Sequence, residues 1–291
     1  MTALGAVFRP QLPPERLKSV ARLADASGLD ELWLWEDCFL EAGISTAAAA
    51  LAWTERLRVG VGLLPVPLRN VALTAMEAAT LHRMFPGRVT LGVGHGVQDW
   101  MAQVGARPAS PLTLLREYTL ALRGLLAGQR LTTEGRYVTL HDVALDWPPE
   151  HATEVLVGGI GPRTLRLSGE VADGTLLNEV FTPDGVREAR RLVGEGRAAA
   201  GRDPGPHRVV VYVFTATGAD AAPRLARELA RAGLADVPDL GVAGDADRVA
   251  ATVREYAEAG ADTVVLLPTA DEPDPEGFVR FTAEAVRPLV D

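Results

Sequence analysis

The chain has 291 residues, 47% of them hydrophobic, with 29 Lys+Arg against 38 Asp+Glu and a net charge of −9. That length fits one large α/β domain or two small ones around a sizeable core, and the acidic balance leaves no basic stripe for nucleic acid. The single cysteine, Cys38, excludes an intramolecular disulfide and a cysteine metal site; no apolar run approaches a membrane span of about 20 residues, and Arg9 and Pro10 interrupt the first apolar run too early for a signal peptide, so the expected compartment is the cytoplasm.

In chain order, the first expected strand is Leu4 to Phe8. A helix opens at Pro13-Pro14-Glu15, runs to about Ser27 and is closed by Gly28. Glu31 to Trp35 reads as a second strand, followed by an alanine-rich helix from Ile44 to Trp53 with Ser45 as its cap. A third strand (Leu57 to Leu64), a helix (about Val71 to Met84), a turn at Pro86-Gly87 and a fourth strand (Arg88 to Val93) form one βαβ unit. Both strands are apolar almost throughout, as parallel strands covered on both faces are. After Gly96 the rhythm changes. A helix spans Pro111 to Leu126, a small hairpin spans Leu131 to Leu140 around Glu134-Gly135, and Asp146-Trp147-Pro148-Pro149 is a stiff linker.

The alternation then resumes with Glu154 to Val157, a glycine turn opening a helix, Gly174 to Asn178, a helix from Pro183 to Ala200, and Arg208 to Thr215. Helices near Ala221 to Ala232 and Asp245 to Ala259 follow. Asp262 to Leu267 is the last strand, and the last helix runs from Pro275 to the C-terminus. Eight strands alternating with helices fit a (β/α)8 TIM barrel in the α/β class, with an insertion at about 97–150 between the fourth and fifth barrel strands; an open doubly wound sheet is the alternative.

Candidate functional residues sit where strands end. Gly159, Gly161, Pro162, Arg163 and Thr164 form a glycine turn into a helix start, whose free N–H groups favour an anion, or else an ordinary tight turn. Gly94, His95 and Gly96 close the fourth strand, where small residues let backbone approach a ligand. His95 is either a proton shuttle or a histidine satisfied by loop carbonyls. Glu36, Asp37 and Cys38 end the second strand. Two adjacent acids there either contact a ligand or act as a helix cap or an arginine partner. Asn178 and Glu179 end the sixth strand, at a ligand-side position or in a surface loop. His82, His141, His151 and His207 read as structural or exposed.

Several blocks in order resemble the bacterial luciferase-like flavin-dependent oxidoreductases: VGVGLLPVPLRN, FPGRVTLGVGHG, GRYVTLHDVAL, VLVGGIGPRTLRLSGEVADGTLLN and the closing VAGDADRVAATVREYAEAGADTVVLLP. The resemblance spans essentially the whole chain. It implies a barrel that binds FMN or the deazaflavin coenzyme F420, with the phosphate at Gly159 to Thr164. It also implies a cis peptide at Gly62-Leu63 in a bulge beneath the ring. Where deazaflavin relatives have Asp-His, this chain has Asp37-Cys38, which leaves an inherited proton-transfer role in doubt. Asp37, Gly62, Leu63, Gly94, His95, Gly96 and Asn178 join the phosphate loop as expected cofactor contacts, and His95, Glu36 and Cys38 are the catalytic candidates. The expected activity is hydride transfer between F420 and a small organic substrate. The alternatives are an FMN monooxygenase supplied by a partner reductase, or a non-catalytic flavin-binding member. A homodimer is implied, through helices near the second and third strands. Substrate choice would fall to the insertion, with Trp100 and Met101 as examples.

Overall fold

The computed structural model describes residues 2–202 and 205–290. Strands β1 (Ala3–Phe8), β2 (Glu31–Leu34), β3 (Arg58–Pro65) and β4 (Val89–Gly94) are followed by a hairpin, β5 (Leu131–Glu134) and β6 (Thr139–Val143). Then come β7 (Val155–Gly158), β8 (Gly174–Leu177), β9 (Arg208–Ala216), β10 (Val242–Ala243) and β11 (Thr263–Pro268). Eight of these, all parallel, pair in the order β9-β11-β1-β2-β3-β4-β7-β8, and β8 pairs back to β9, closing the barrel. The expected barrel strands lie within one residue of these limits, and the hairpin runs three residues past the expected Leu140 to Val143. The two-residue β10, not foreseen, extends the upper end of β9 at Thr215 and Ala216.

The outer layer is α1 (Leu17–Ala26), α2 (Gly43–Ala52), α3 (Val71–Met84), α4 (Gln98–Gln103), α5 (Pro111–Leu126), α6 (Pro162–Val171), α7 (Pro183–Ala199), α8 (Ala221–Arg231), α9 (Ala246–Glu258) and α10 (Pro275–Arg280). α1 ends as expected on Gly28, whose φ of +77° a side chain would resist, and Leu29 N–H closes back onto the Ala24 carbonyl at 3.0 Å. Two expectations are corrected. Ser45 does not cap α2: the helix begins at Gly43, and the Ser45 hydroxyl donates to the Ala42 carbonyl at 3.1 Å. The final helix does not keep α-geometry to the end: beyond Arg280 it widens to a π-turn (Phe281–Val286) and then tightens to a 3₁₀ turn (Arg287–Leu289). Among the described residues no helix is long and apolar enough to cross a membrane.

Side chains inside the barrel differ from those outside. Outside, Leu, Val and Ala of the strands meet the helices. Inside are Val7, Trp33, Leu156, Leu176, Val210, Tyr212, Phe214, Val265 and Leu267. Trp33 fits because its neighbour across β2 and β3 is Gly60, where a Cβ would fall 2.4 Å from the indole. The amino end of the barrel is closed by a polar network. Arg208 pairs with the buried Glu31 and donates to Thr90 at 3.2 Å and Thr263 at 2.9 Å, while Glu31 also accepts from Trp33 Nε1 at 2.9 Å. The network faces a polar hollow of about 560 Å³ lined also by Arg58, His151 and Glu154; the carboxyl end is where barrel enzymes keep their chemistry.

The insertion resolves into unlike parts. The stretch from Val97 through α4 covers the carboxyl end beside β4. α5 packs on α3 and α6 as the barrel's own fourth helix. The hairpin lies against α5 instead of over the mouth: the Glu117 carboxylate accepts the N–H groups of Arg136, Tyr137 and Val138, and Tyr137 Oη accepts from Ser110 N–H.

Candidate active site

At the carboxyl end a cavity of about 720 Å³ is lined from β2, β3, β4, β7, β8 and β9. Its floor is aromatic. The Tyr212 ring stands edge-on to Trp33, with centroids 5.9 Å apart, and 5.2 Å from Trp35. Tyr212 Oη donates to the Gly62 carbonyl at 3.2 Å. A Cβ on Gly62 would lie 2.0 Å from that hydroxyl, so the position tolerates only glycine while Tyr212 stands there. The register between β3 and β4 slips by one residue between Val61 and Leu64, a bulge. Within it the Gly62–Leu63 peptide is cis, as the resemblance implied, and Cys38–Phe39 is a second non-proline cis peptide that the sequence did not suggest.

The glycines of β4 and β7 have a partner that sequence reading missed. Cβ atoms on Gly94 and Gly158 would fall 2.5 and 2.4 Å from Leu63 Cδ2. These glycines therefore make room for the protein's own Leu63, which forms one wall of the cavity, and Gly94 itself is not part of the lining. Gly159 similarly leaves space for Thr164, whose Cγ2 would be 2.2 Å from an added Cβ. Gly161 faces open space: it is the N-cap of α6, no side chain caps that helix, and Pro162 follows at its first position. Arg163 and Pro162 are exposed and lie outside the lining.

His95 joins two of the expected segments. Its Nε2 is 3.1 Å from Thr164 Oγ1, tying the end of β4 to the first turn of α6. Burial lowers its pKa, offset in part by the backbone of Pro111, so the ring is neutral near pH 7. Nδ1 makes no well-formed hydrogen bond among the described residues. Gln98 donates to the His95 carbonyl at 3.1 Å, and its Oε1 is buried without a partner among the described residues. Of the two insertion residues expected to choose substrate, Trp100 lines the cavity. Met101 does not: it is fully buried under Gly96, where its Sδ would be 3.2 Å from an added Cβ.

The acids after β2 divide. Glu36 takes both of its bland roles at once. Its Oε2 accepts the first N–H of α2, from Gly43, at 2.8 Å, and Arg69 grips both of its oxygens at 3.2 and 2.9 Å. Arg69 also holds Glu77 at 2.7 Å. Asp37 lines the cavity with no such commitment. Burial raises its pKa, with Arg9 acting the other way. Across the mouth Asn178 and Glu179 extend β8 into the same cavity, and burial raises the pKa of Glu179 too, opposed by Arg9 and reinforced by Asp37 and Glu228. Arg9 itself is paired with Glu228 at 2.8 Å. Cys38 is outside the lining. Burial, Glu36 and Asp37 all push its thiol up, so it stays protonated near neutral pH.

The sequence pattern of the luciferase-like monooxygenase family matches residues 3–238. The chain belongs to that family. The match bears out the expectation, drawn from the ordered sequence blocks, of a luciferase-like enzyme. Over 75% of its length this luciferase-like chain is 30% identical to a 5,10-methylenetetrahydromethanopterin reductase of Methanolobus tindarius, and the aligned stretch spans 66% of that relative's own length. Its fold superposes on an F420-dependent secondary alcohol dehydrogenase solved with an F420–acetone adduct, with a TM-score of 0.88 at 21% identity over all of this chain and 99% of the other. It also superposes on the FMN-bound oxygenating constituent of 3,6-diketocamphane monooxygenase from Pseudomonas putida, with a TM-score of 0.80 at 20% identity over 100% and 99% of the two chains. At such identities the structural likeness is one of fold.

Proposed function

We propose that this luciferase-like chain is an oxidoreductase that uses coenzyme F420 to move hydride to or from a small organic substrate at the carboxyl mouth of the barrel. One observation carries the reading. A single cavity joins the uncapped N-terminus of α6 to the bulged Gly62–Leu63 backbone of β3. That donor set suits a phosphorylated planar ring. Backbone N–H groups at Gly161 and the Thr164 hydroxyl offer donors at one end with no carboxylate among them, and the helix dipole favours the phosphate. Leu63, Pro65, Val97 and Trp100 give flat apolar walls in the middle, within a volume typical of cofactor sites. When bound, the deazaflavin supplies the hydride chemistry. The chain's own residues bind and orient it, and Asp37 and Glu179, whose burial favours their protonated forms, are the carboxyls free to exchange a proton at the mouth. Glu36 is held in the scaffold. The expected contacts are Asp37, Gly62, Leu63, His95, Gly96, Gly159, Gly161, Thr164 and Asn178.

Titrating the purified protein with F420 and with FMN, followed by fluorescence, tests the cofactor. Submicromolar binding of F420 alone supports the reading, and tight binding of FMN alone overturns it in favour of a monooxygenase fed by a partner reductase, which oxygen consumption would then reveal. For assembly we propose a homodimer through the outer face of α3. Leu73 and Met76 are 47% and 59% exposed there, on a helix with apolar residues on all sides. The alanine face of α2 is not available for it, because Thr46, Ala47, Ala50 and Leu51 are buried against the barrel. Light scattering on the native protein and on Met76→Glu checks this: the native mass should be that of two chains and the variant's that of one.

A further inference from the structure

We propose that the substrate half of this cavity takes an uncharged, largely apolar molecule bearing one carbonyl or hydroxyl oxygen, and turns away carboxylates and phosphates. This deepens the reading above and rests on it for the place of the cofactor at the α6 end. No lysine or arginine lines the cavity among the described residues. Two nearby arginines stand behind the wall and outside the lining: Arg9, held by Glu228 through one nitrogen with its Nε buried without a partner among the described residues, and Arg69, held by Glu36 and Glu77. His95 is kept neutral by burial. Among the described residues, the carboxyls left uncommitted in the cavity wall are Asp37, just past β2, and Glu179, just past β8, with Arg9 a cation acting on both. An anionic substrate would meet carboxyls in the wall and no cation within reach in the lining, and a buried charge without a direct partner is strongly disfavoured. Those same carboxyls, where protonated, donate to a neutral oxygen. The rest of the wall is apolar. Val97 and Ile160 stand at its rim 47% and 56% exposed, so a ligand that covers them gains burial.

Trp35 and Trp100 stand in the wall, so tryptophan fluorescence reports occupancy directly without any turnover. The purified protein is titrated with 2-hexanone, 2-heptanone and 2-octanone, then with 7-oxooctanoate and 2-aminooctane, the acidic and basic probes of matching length. Affinity should rise about fourfold per added methylene. The oxo acid should bind at least tenfold more weakly than 2-octanone, and Glu179→Gln or Asp37→Asn should shrink that gap. The proposal is overturned if the oxo acid or the amine binds as tightly as 2-octanone, if chain length has no effect, or if the gap persists in both variants with their circular dichroism unchanged. Failure of both coenzymes to bind would strike the cofactor reading alone, because the ketone series is read without them.

Discussion

Glu41 is a side chain the fold leaves unsupported. Both of its carboxylate oxygens are buried without a partner among the described residues, and burial pushes its pKa up to about 7 from the ordinary 4.5. Between those two values the folded chain holds a proton that the unfolded chain has released. The protonated form therefore stabilises the fold fully below about pH 4.5, and that contribution is lost as pH rises through 7. The side chain is only half-buried, so screening reduces the effect to about 1 kcal/mol. Glu41→Gln should raise the melting temperature at pH 8 and leave it unchanged at pH 4.5; equal shifts at both pH values would rule the account out. Gly94 makes a different demand. With alanine there, the new Cβ meets the flexible end of Leu63 at 2.5 Å, its nearest neighbour, with the Gly158 carbonyl oxygen next at 3.3 Å. Leu63 can yield, but only by swinging toward the cavity it borders. Gly94→Ala should cost about 1 kcal/mol in urea unfolding while weakening coenzyme binding in the fluorescence titration. Unchanged binding would mean that Leu63 yields in some other direction.

Glu36 works on whole elements. It starts α2 by accepting the Gly43 N–H, and through Arg69 it fixes the loop after β3 and, by Glu77, the first half of α3. Glu36→Gln should lower stability by about 2 kcal/mol in urea, less than for a fully broken buried pair because Glu77 still holds Arg69; a loss within 0.5 kcal/mol of zero, on the usual scale for surface substitutions, would contradict this. The same residue shows what sequence reading sees and misses. Local capping rules point to Ser45 because they search one turn around a helix start, whereas the group that caps α2 is Glu36, seven positions before Gly43 and just past the end of β2. The helix itself was plain from its composition; its anchor was not. The hairpin carries the same lesson. Its strands and Gly135 turn are legible as local pattern, but Glu117, which accepts three N–H groups at its tip, lies on α5. Burial raises the pKa of Glu117, and those N–H groups more than offset it, so the carboxylate stays charged where it is needed. Nothing local says that the hairpin lies against α5 and that the mouth is left to Val97, Gln98 and Trp100. The glycines of β4 and β7 were likewise visible as positions that need to be small. That Leu63, some 30 and 95 residues away, is what they accommodate is a fact of the closed sheet.

At the scale of the molecule the barrel was readable because its strands are largely apolar on both faces and alternate with helices, several of which open on a proline. The closure itself was not, since pairing of β8 with β9 leaves no mark in either segment. Closure is locked at the amino end by a network drawn from four strands: Glu31 of β2, Thr90 of β4, Arg208 of β9 and Thr263 of β11. Glu31 is 2% exposed and, among the described residues, has Arg58 and the Trp33 N–H besides Arg208. Removing Arg208 therefore leaves the buried carboxylate with only the half-exposed Arg58 as counter-charge among the described residues, and Arg208→Met should lower stability by about 2 kcal/mol. If the network acts as a unit, Glu31→Gln added to that variant should restore part of the loss, with a coupling of at least about 1 kcal/mol across the double-mutant cycle. Urea unfolding of the parent, both single variants and the double variant measures it; additivity within about 0.5 kcal/mol would show that the four residues act separately. Because this lock lies at the opposite end from the cavity, coenzyme affinity should be the same in all four proteins, which separates what holds the barrel shut from what its open end binds.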